Sequence, residues 1–190
     1  QLILTMSRML RIKDPYTACH QERVKEIAVV ISEELGLSFK SRETVRIASL
    51  LHDIGKLAIP ADILNKPGKL NEIEWGLIKQ HPEQGFELLK GIDFEMPVAE
   101  VILQHHERIN GSGYPLGLKG EEISIEARVL AVADVFEAIS SHRPYRPSLG
   151  VEEALAELKK NSGVLYDREV VDALLRVIER GFVFDTDPFE

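Results

Sequence analysis

An all-α fold is what these 190 residues predict, on three observations. Apolar residues return every three or four positions in segment after segment. Proline, serine or asparagine opens these segments and glycine closes them. No run of alternating apolar and polar residues is long enough to make a convincing strand.

The segments follow in order. Leu2, Ile3, Leu4, Met6, Met9, Leu10 and Ile12 recur at helical spacing up to Asp14-Pro15, so residues 1–14 read as an N-terminal helix or a linker arriving from an upstream region. Pro15 to Leu35 is a second helix with Val24, Ile27, Ala28 and Ile31 on one face, His20 one turn before Val24, and Gly36 as its stop. Ser41 is expected to cap a third, Arg42 to about Ile54, with Val45, Ala48 and Leu51 inward and His52-Asp53 closing it. Adjacent helical residues project about 100° apart, so His52 and Asp53 can reach one ion, and Gly55 is expected to permit a turn that swings Lys56 to the same spot.

Pro60, Pro67 and Gly68 make residues 57–70 a loop with at most one helical turn. Asn71 and Glu74 form a capping pair for a helix reaching His81, and Pro82 suits the first turn of the next helix, Glu83 to Lys90, which Gly91 ends. Pro97 starts a helix that delivers His105-His106 at its end, before a shaped loop, Asn110 to Pro115. The helix Ile125 to Ile139 carries Asp134 inside an apolar run, where a carboxylate is costly to bury unless paired or bound to metal. Arg143 and Arg146 lie on a proline-stiffened basic loop suited to bidentate phosphate recognition. Val151 to Lys159 and Arg168 to Arg180 are amphipathic helices with structural faces, and residues 181–190 read as an irregular tail.

Composition bounds the function. A net charge of -8 argues against a general nucleic-acid binder, although local cations can still receive a small anion. One cysteine excludes an intrachain disulfide and fits a reducing cytoplasm. No apolar run approaches the ~20 residues of a membrane span, and no signal peptide is visible. Opening on Gln1, the sequence reads as part of a longer or processed chain.

Five of the six histidines, His20, His52, His81, His105 and His106, fall at helix ends or on core-facing positions, and Asp53 and Asp134 sit in apolar contexts. Imidazole with carboxylate favours first-row metals such as Mn, Fe, Co, Ni or Zn over Mg or Ca. Seven candidate ligands exceed the needs of one ion, and a dinuclear site sharing Asp53 accommodates them with room for water and substrate. This spacing points to a metallohydrolase and does not name its substrate.

From Asp14 to Leu175 the sequence resembles the HD-GYP domains, a subgroup of the HD phosphohydrolase superfamily associated with cyclic di-GMP hydrolysis. The resemblance is carried by Asp14-Pro15-Tyr16-Thr17, His20-Gln21-Glu22-Arg23-Val24, Leu50 to Lys56, Ile63 to Leu70, Ile78 to Pro82, His105 to Arg108, Gly111 to Pro115, Val132 to Phe136 and Arg143-Pro144-Tyr145-Arg146. It implies a compact helical HD-type catalytic domain over residues 15–180. It implies His20, His52, Asp53 and Asp134 as metal ligands and His81, His105 and His106 as ligands of a second metal, with Asp53 as bridge and Fe or Mn foremost. Lys56 would reach the scissile phosphate, Arg143 and Arg146 would hold the dinucleotide, and Tyr114 would line the entrance. The implied enzyme is a metal-dependent phosphodiesterase that cleaves cyclic di-GMP to 5′-pGpG, and onward to GMP in some members, through a metal-bridging hydroxide. Alternatives are a preference for cyclic GMP-AMP and a non-catalytic module that binds cyclic di-GMP or a cyclase. Expected partners are an upstream sensor or receiver domain, a diguanylate cyclase domain and a second copy of the chain.

Departures from the family pattern are also legible. Tyr16 stands where some members carry a glutamate for a third metal, so two ions are expected. Asn110 replaces a usual aspartate, Cys19 a glycine and His142 another aspartate, and His142 reads as exposed rather than ligating. Glu137 stands where aspartate is common, and its longer side chain is expected to alter how guanine is met.

Overall fold

The computed structural model describes residues 2–13, 15–141 and 149–183; for residues 2, 4, 11, 12 and 15–18 it describes the backbone alone. Among the described residues the chain is helical throughout, with α1 (Leu2–Lys13), α2 (Pro15–Glu34), α3 (Phe39–Leu51), α4 (Ala61–Leu64), α5 (Glu72–Ile78), α6 (His81–Leu89), α7 (Val98–Gln104), α8 (Ile125–Ser140), α9 (Val151–Asn161) and α10 (Arg168–Glu179). Two short 3-10 turns, Ile54–Ala58 and Gly120–Glu122, complete it, and β structure amounts to two isolated bridges. No helix among these residues is long and apolar enough to cross a membrane.

Helices α2, α3 and α8 pack on one another, and the rest wrap around them. Their shared core is dry: Val24, Ile27, Ala28 and Ile31 of α2, Val45, Ala48 and Leu51 of α3 and Leu130, Val132, Ala133 and Phe136 of α8 are all fully buried. Burying such a side chain stabilises the fold by about 1.5–3 kcal/mol, so α8, apolar almost all round, can carry Asp134 along its length without losing its place. On the outside, Arg128 of α8 reaches Asp167, the N-cap of α10, at 2.6 Å, and Glu34 at the end of α2 receives Arg176 and Arg180 of α10. Helix α1 packs on α2, α3 and the 54–58 turn. Its Leu10 is buried, and Lys13 Nζ donates to the carbonyls of Leu57 and Ile59, the latter at 2.6 Å.

Most predicted boundaries fall within a residue or two. Gly36 takes a φ of +66° after α2, and Asn71 with Glu74 forms a full reciprocal capping box at α5. Three boundaries differ, one of them the end of α3, which stops at Leu51 instead of about Ile54 because the chain tightens there into the 54–58 turn. Helix α3 starts three residues early, because Ser38 rather than Ser41 is the cap: its Oγ accepts from Ser41 N–H at 3.1 Å. Helix α5 ends at Ile78, short of His81, which instead opens α6 with Pro82 behind it in the first turn.

Candidate metal centre

Three helix ends and one helix–helix contact meet where the histidines lie. His52 caps the C-terminus of α3 and His105 that of α7, His81 begins α6, and His20 with Asp134 faces across the α2–α8 contact. Asp53 precedes the 54–58 turn, and that turn packs tightly on α6. Gly55 makes this possible, though not as a left-handed turn residue. A Cβ there would lie 1.9 Å from the His81 carbonyl oxygen and 2.6 Å from Gly85 N, so the glycine permits a close approach of backbones that fixes His81 beside Asp53.

The seven predicted ligands come together as two groups around Asp53. Ligand atoms of His20, His52 and Asp134 lie within 4.8 Å of one another, and so do those of His81, His105 and His106. Asp53 stands between them, with Oδ1 3.5 Å from His81 Nε2 and Oδ2 3.7 Å from His52 Nε2. His52, Asp53, His81 and His105 are almost wholly buried.

Three of the rings have their tautomer set by the backbone. His52, His81 and His105 each donate Nδ1–H to the carbonyl three residues back, Ser49, Ile78 and Ile102, at 2.8, 2.8 and 2.6 Å. Each therefore turns a bare Nε2 lone pair inward. His81 and His105 then face each other Nε2 to Nε2 at 3.2 Å, two acceptors with no proton between them. Burial drives the His81 imidazole down to about 4 and that of His105 well below its usual value, so neither ring takes up a second proton at neutral pH. Two facing lone pairs at this separation suit a cation, and the residues fit a divalent metal.

Charge in the other group is arranged differently. Burial lowers the His20 imidazole, but Glu137 and Asp134 outweigh it and raise it to about 9. Asp134 Oδ1 lies 3.2 Å from His20 Nε2, and the Nδ1 of the same ring meets Glu137 Oε2. Burial also works against the two aspartates, yet Lys56 and the imidazoles of His52, His81 and His20 hold the Asp53 carboxyl well below the usual range, and His20, His52 and His106 do so for Asp134. Lys56 Nζ stands 2.7 Å from Asp53 Oδ2 with about a fifth of its side chain exposed. His106, brought by burial to about 3, stacks against the half-buried Tyr114 with ring centroids 4.8 Å apart, so the tyrosine borders the second group.

Other expected contacts fall differently. Arg143, Arg146 and His142 lie outside the described residues, as does the side chain of Tyr16. Asn110 keeps its turn chemistry, accepting from Ser112 N–H at 3.0 Å, and Cys19 is exposed. Glu137, expected to alter how guanine is met, is 1% exposed and bonds His20 and Arg23. Its spacing explains this, since it lies one helical turn beyond Asp134 on the same face. A second carboxylate escaped the sequence reading. Glu107 is buried and accepts from three successive backbone N–H groups, Leu116 at 2.6 Å, Gly117 at 3.1 Å and Leu118 at 3.1 Å, pinning the loop that carries Tyr114. Its signal was a charged residue directly after the two histidines. Gly113 belongs to the same device, because a Cβ there would meet the Glu107–Arg108 backbone at 2.4 Å.

Fold and site together define a helical domain built around a histidine–aspartate cluster that fits metal. The HD domain family matches residues 5–170, and the chain belongs to that family. It is 46% identical over 173 residues to the cyclic di-GMP phosphodiesterase response regulator RpfG of Xanthomonas campestris, covering 90% of this chain and 46% of the relative. It is 37% identical over 177 residues to 3′3′-cGAMP-specific phosphodiesterase 3 of Vibrio cholerae, covering 93% and 38%. The chain thus spans less than half the length of these two relatives. Its fold matches that of an HDG"Y"P protein from Bdellovibrio bacteriovorus with a TM-score of 0.69 at 22% identity, over 84% of this chain and 51% of that one.

Proposed function

We propose that this chain is a dinuclear metal-dependent phosphodiesterase that hydrolyses cyclic di-GMP to 5′-pGpG and onward to GMP. The observation that carries the reading is the placement of Asp53, one oxygen toward His52 and the other toward His81, between two sets of ligand atoms. His20, His52 and Asp134 would hold one ion and His81, His105 and His106 the other; this donor set suits first-row metals such as Mn, Fe, Co, Ni or Zn, and the family resemblance puts Fe or Mn foremost. Two bound ions supply a water activated near neutral pH and neutralise charge on a phosphodiester. The protein does the rest. The backbone-fixed tautomers keep the Nε2 of His52, His81 and His105 aimed inward, the buried floor keeps bulk water away, and the partly exposed Lys56 would offset charge on the phosphoryl oxygens. Tyr114 beside His106 offers its ring to a guanine, and Arg143 with Arg146 would clamp phosphate. Local cations are required because a chain of net charge -8 must receive an anionic dinucleotide.

A second substrate, 3′3′-cGAMP, is favoured by the 37% identity to a phosphodiesterase named for it, against 46% to one named for cyclic di-GMP. The same proposal assigns residues 1–14 to the junction with an upstream sensor or receiver domain, 15–180 to catalysis and 181–190 to a tail. A diguanylate cyclase domain or a second copy of the chain would be its partner. The test is chromatography of cyclic di-GMP, 3′3′-cGAMP and pGpG incubated with anaerobically purified, metal-loaded protein. Appearance of pGpG from cyclic di-GMP, lost in Asp53→Ala, supports the reading. Retention of both cyclic dinucleotides on a protein that binds them makes the chain a binding module instead.

A further inference from the structure

His20 is held unlike its fellow ligands. His52, His81 and His105 rest Nδ1 on carbonyls of their own chain segments, whereas His20 Nδ1 meets a carboxylate across the α2–α8 interface. That carboxylate, Glu137, is itself fixed: Oε1 accepts from Nε of Arg23 at 2.7 Å and is ion-paired with Nη2 of the same guanidinium at 2.7 Å, and Arg23 is buried as well. Arg23 lies one turn beyond His20 on α2, and Glu137 one turn beyond Asp134 on α8. The two helices therefore bring a ligand and its support together in the same contact.

A carboxylate behind an imidazole holds the ring more firmly than a carbonyl and makes the opposite nitrogen a stronger donor. The pair with Arg23 offsets the cost of burying that charge. The two metal positions consequently differ in anionic character. One has Asp134 as a ligand and Glu137 behind His20; the other has three imidazoles, and both share Asp53. We infer that Glu137, braced by Arg23, is the positioning residue that aims His20 at the metal position shared with His52 and Asp134, and that this position is the first of the two to fill. The inference rests on the dinuclear reading above and adds to it an order of loading and a residue outside the ligand set.

The test is a titration of metal-free protein with Mn2+, free ion being followed by electron paramagnetic resonance. Wild-type protein should bind in two separable steps. Glu137→Gln keeps an acceptor for Nδ1–H but removes the charge, and should weaken the first step about 10–100-fold while leaving the second step unchanged; the metal-free protein should melt lower, because the buried Arg23 loses its charged partner. Glu137→Asp, one methylene short of the ring, should weaken the same step. An unchanged first step in Glu137→Gln overturns the inference, as does an equal loss at both steps, which is what general loosening of the α2–α8 contact produces. If Glu137→Gln does not melt cooperatively, Arg23→Lys carries the same titration: loss confined to the first step supports the inference and unaltered binding overturns it. Wild-type protein that takes up no Mn2+ brings down the dinuclear reading itself, whereas wild type binding two ions with Glu137→Gln unaffected defeats only the role of Glu137.

Discussion

Replacing Gly55 with alanine tests how the centre is held together, and the structure sets the size of the effect. The added Cβ would sit 1.9 Å from the His81 oxygen, 2.6 Å from Gly85 N and 2.8 Å from the His81 carbon, all backbone atoms with no rotamer to turn away. Ordinary contact requires the 54–58 turn and the start of α6 to part by about 1 Å in a close-packed interior. Overpacking of this kind costs about 1–3 kcal/mol and more where backbone opposes it, so about 3 kcal/mol is expected. For a chain of this size that lowers the melting temperature by roughly 6–12 °C. The same parting moves His81 from Asp53 and His105, and misplacing a catalytic group by 1 Å costs about 100-fold in rate. Thermal melts of metal-free protein and turnover by metal-loaded protein check both halves. A Gly55→Ala protein that melts with wild type and keeps its turnover refutes the close-approach argument.

Further outcomes follow from other parts of the site. Glu107→Ala leaves three part-buried backbone N–H groups without their acceptor, which should cost on the order of 2 kcal/mol and raise KM more than it lowers kcat by freeing the Tyr114 loop, as denaturation and steady-state kinetics would show. On the proposed mechanism Lys56→Met should retain its metal by elemental analysis yet lose about 100-fold in kcat/KM, since the ammonium would serve the phosphoryl oxygens rather than ligate an ion. The metal-free protein should be most stable near pH 6.5. His81 and His106, lowered to about 4 and about 3, contribute stability that is present above their ordinary value and lost as pH falls from 6.5 toward those values. His20, raised to about 9, contributes stability that is present below 6.5 and lost as pH rises toward 9. Urea midpoints across pH 4–9 should therefore trace a maximum that flattens once metal is bound.

Local signals were read correctly where one short segment decides the outcome. Gly36, the Asn71–Glu74 pair and Pro97 each mark a helix end through their own dihedrals or side chains. The start of α3 was misread because Phe39, its first residue, is 73% exposed and adds nothing to the apolar pattern, leaving two serines as equal candidates for the cap. All seven candidate ligands stood out as imidazoles and carboxylates at helix ends or in apolar runs. What held them did not: the facing of Gly55 and Gly85, the His81–His105 lone pairs and the Glu137–His20 bond all join segments far apart in the chain. Glu137 was accessible in principle as the residue one turn from Asp134. Glu107 was not, because its partners are backbone groups of a loop whose path the sequence does not state.

The central claim is that two ions flanking Asp53 act together on a cyclic dinucleotide, and stepwise reconstitution tests it most directly. Metal-free protein would be titrated with Mn2+ while the consumption of cyclic di-GMP and of 3′3′-cGAMP is followed. The account predicts little turnover through the first equivalent and a rise with the second, absent from Asp53→Ala. Full turnover at one equivalent, or none of either dinucleotide at two, would contradict it.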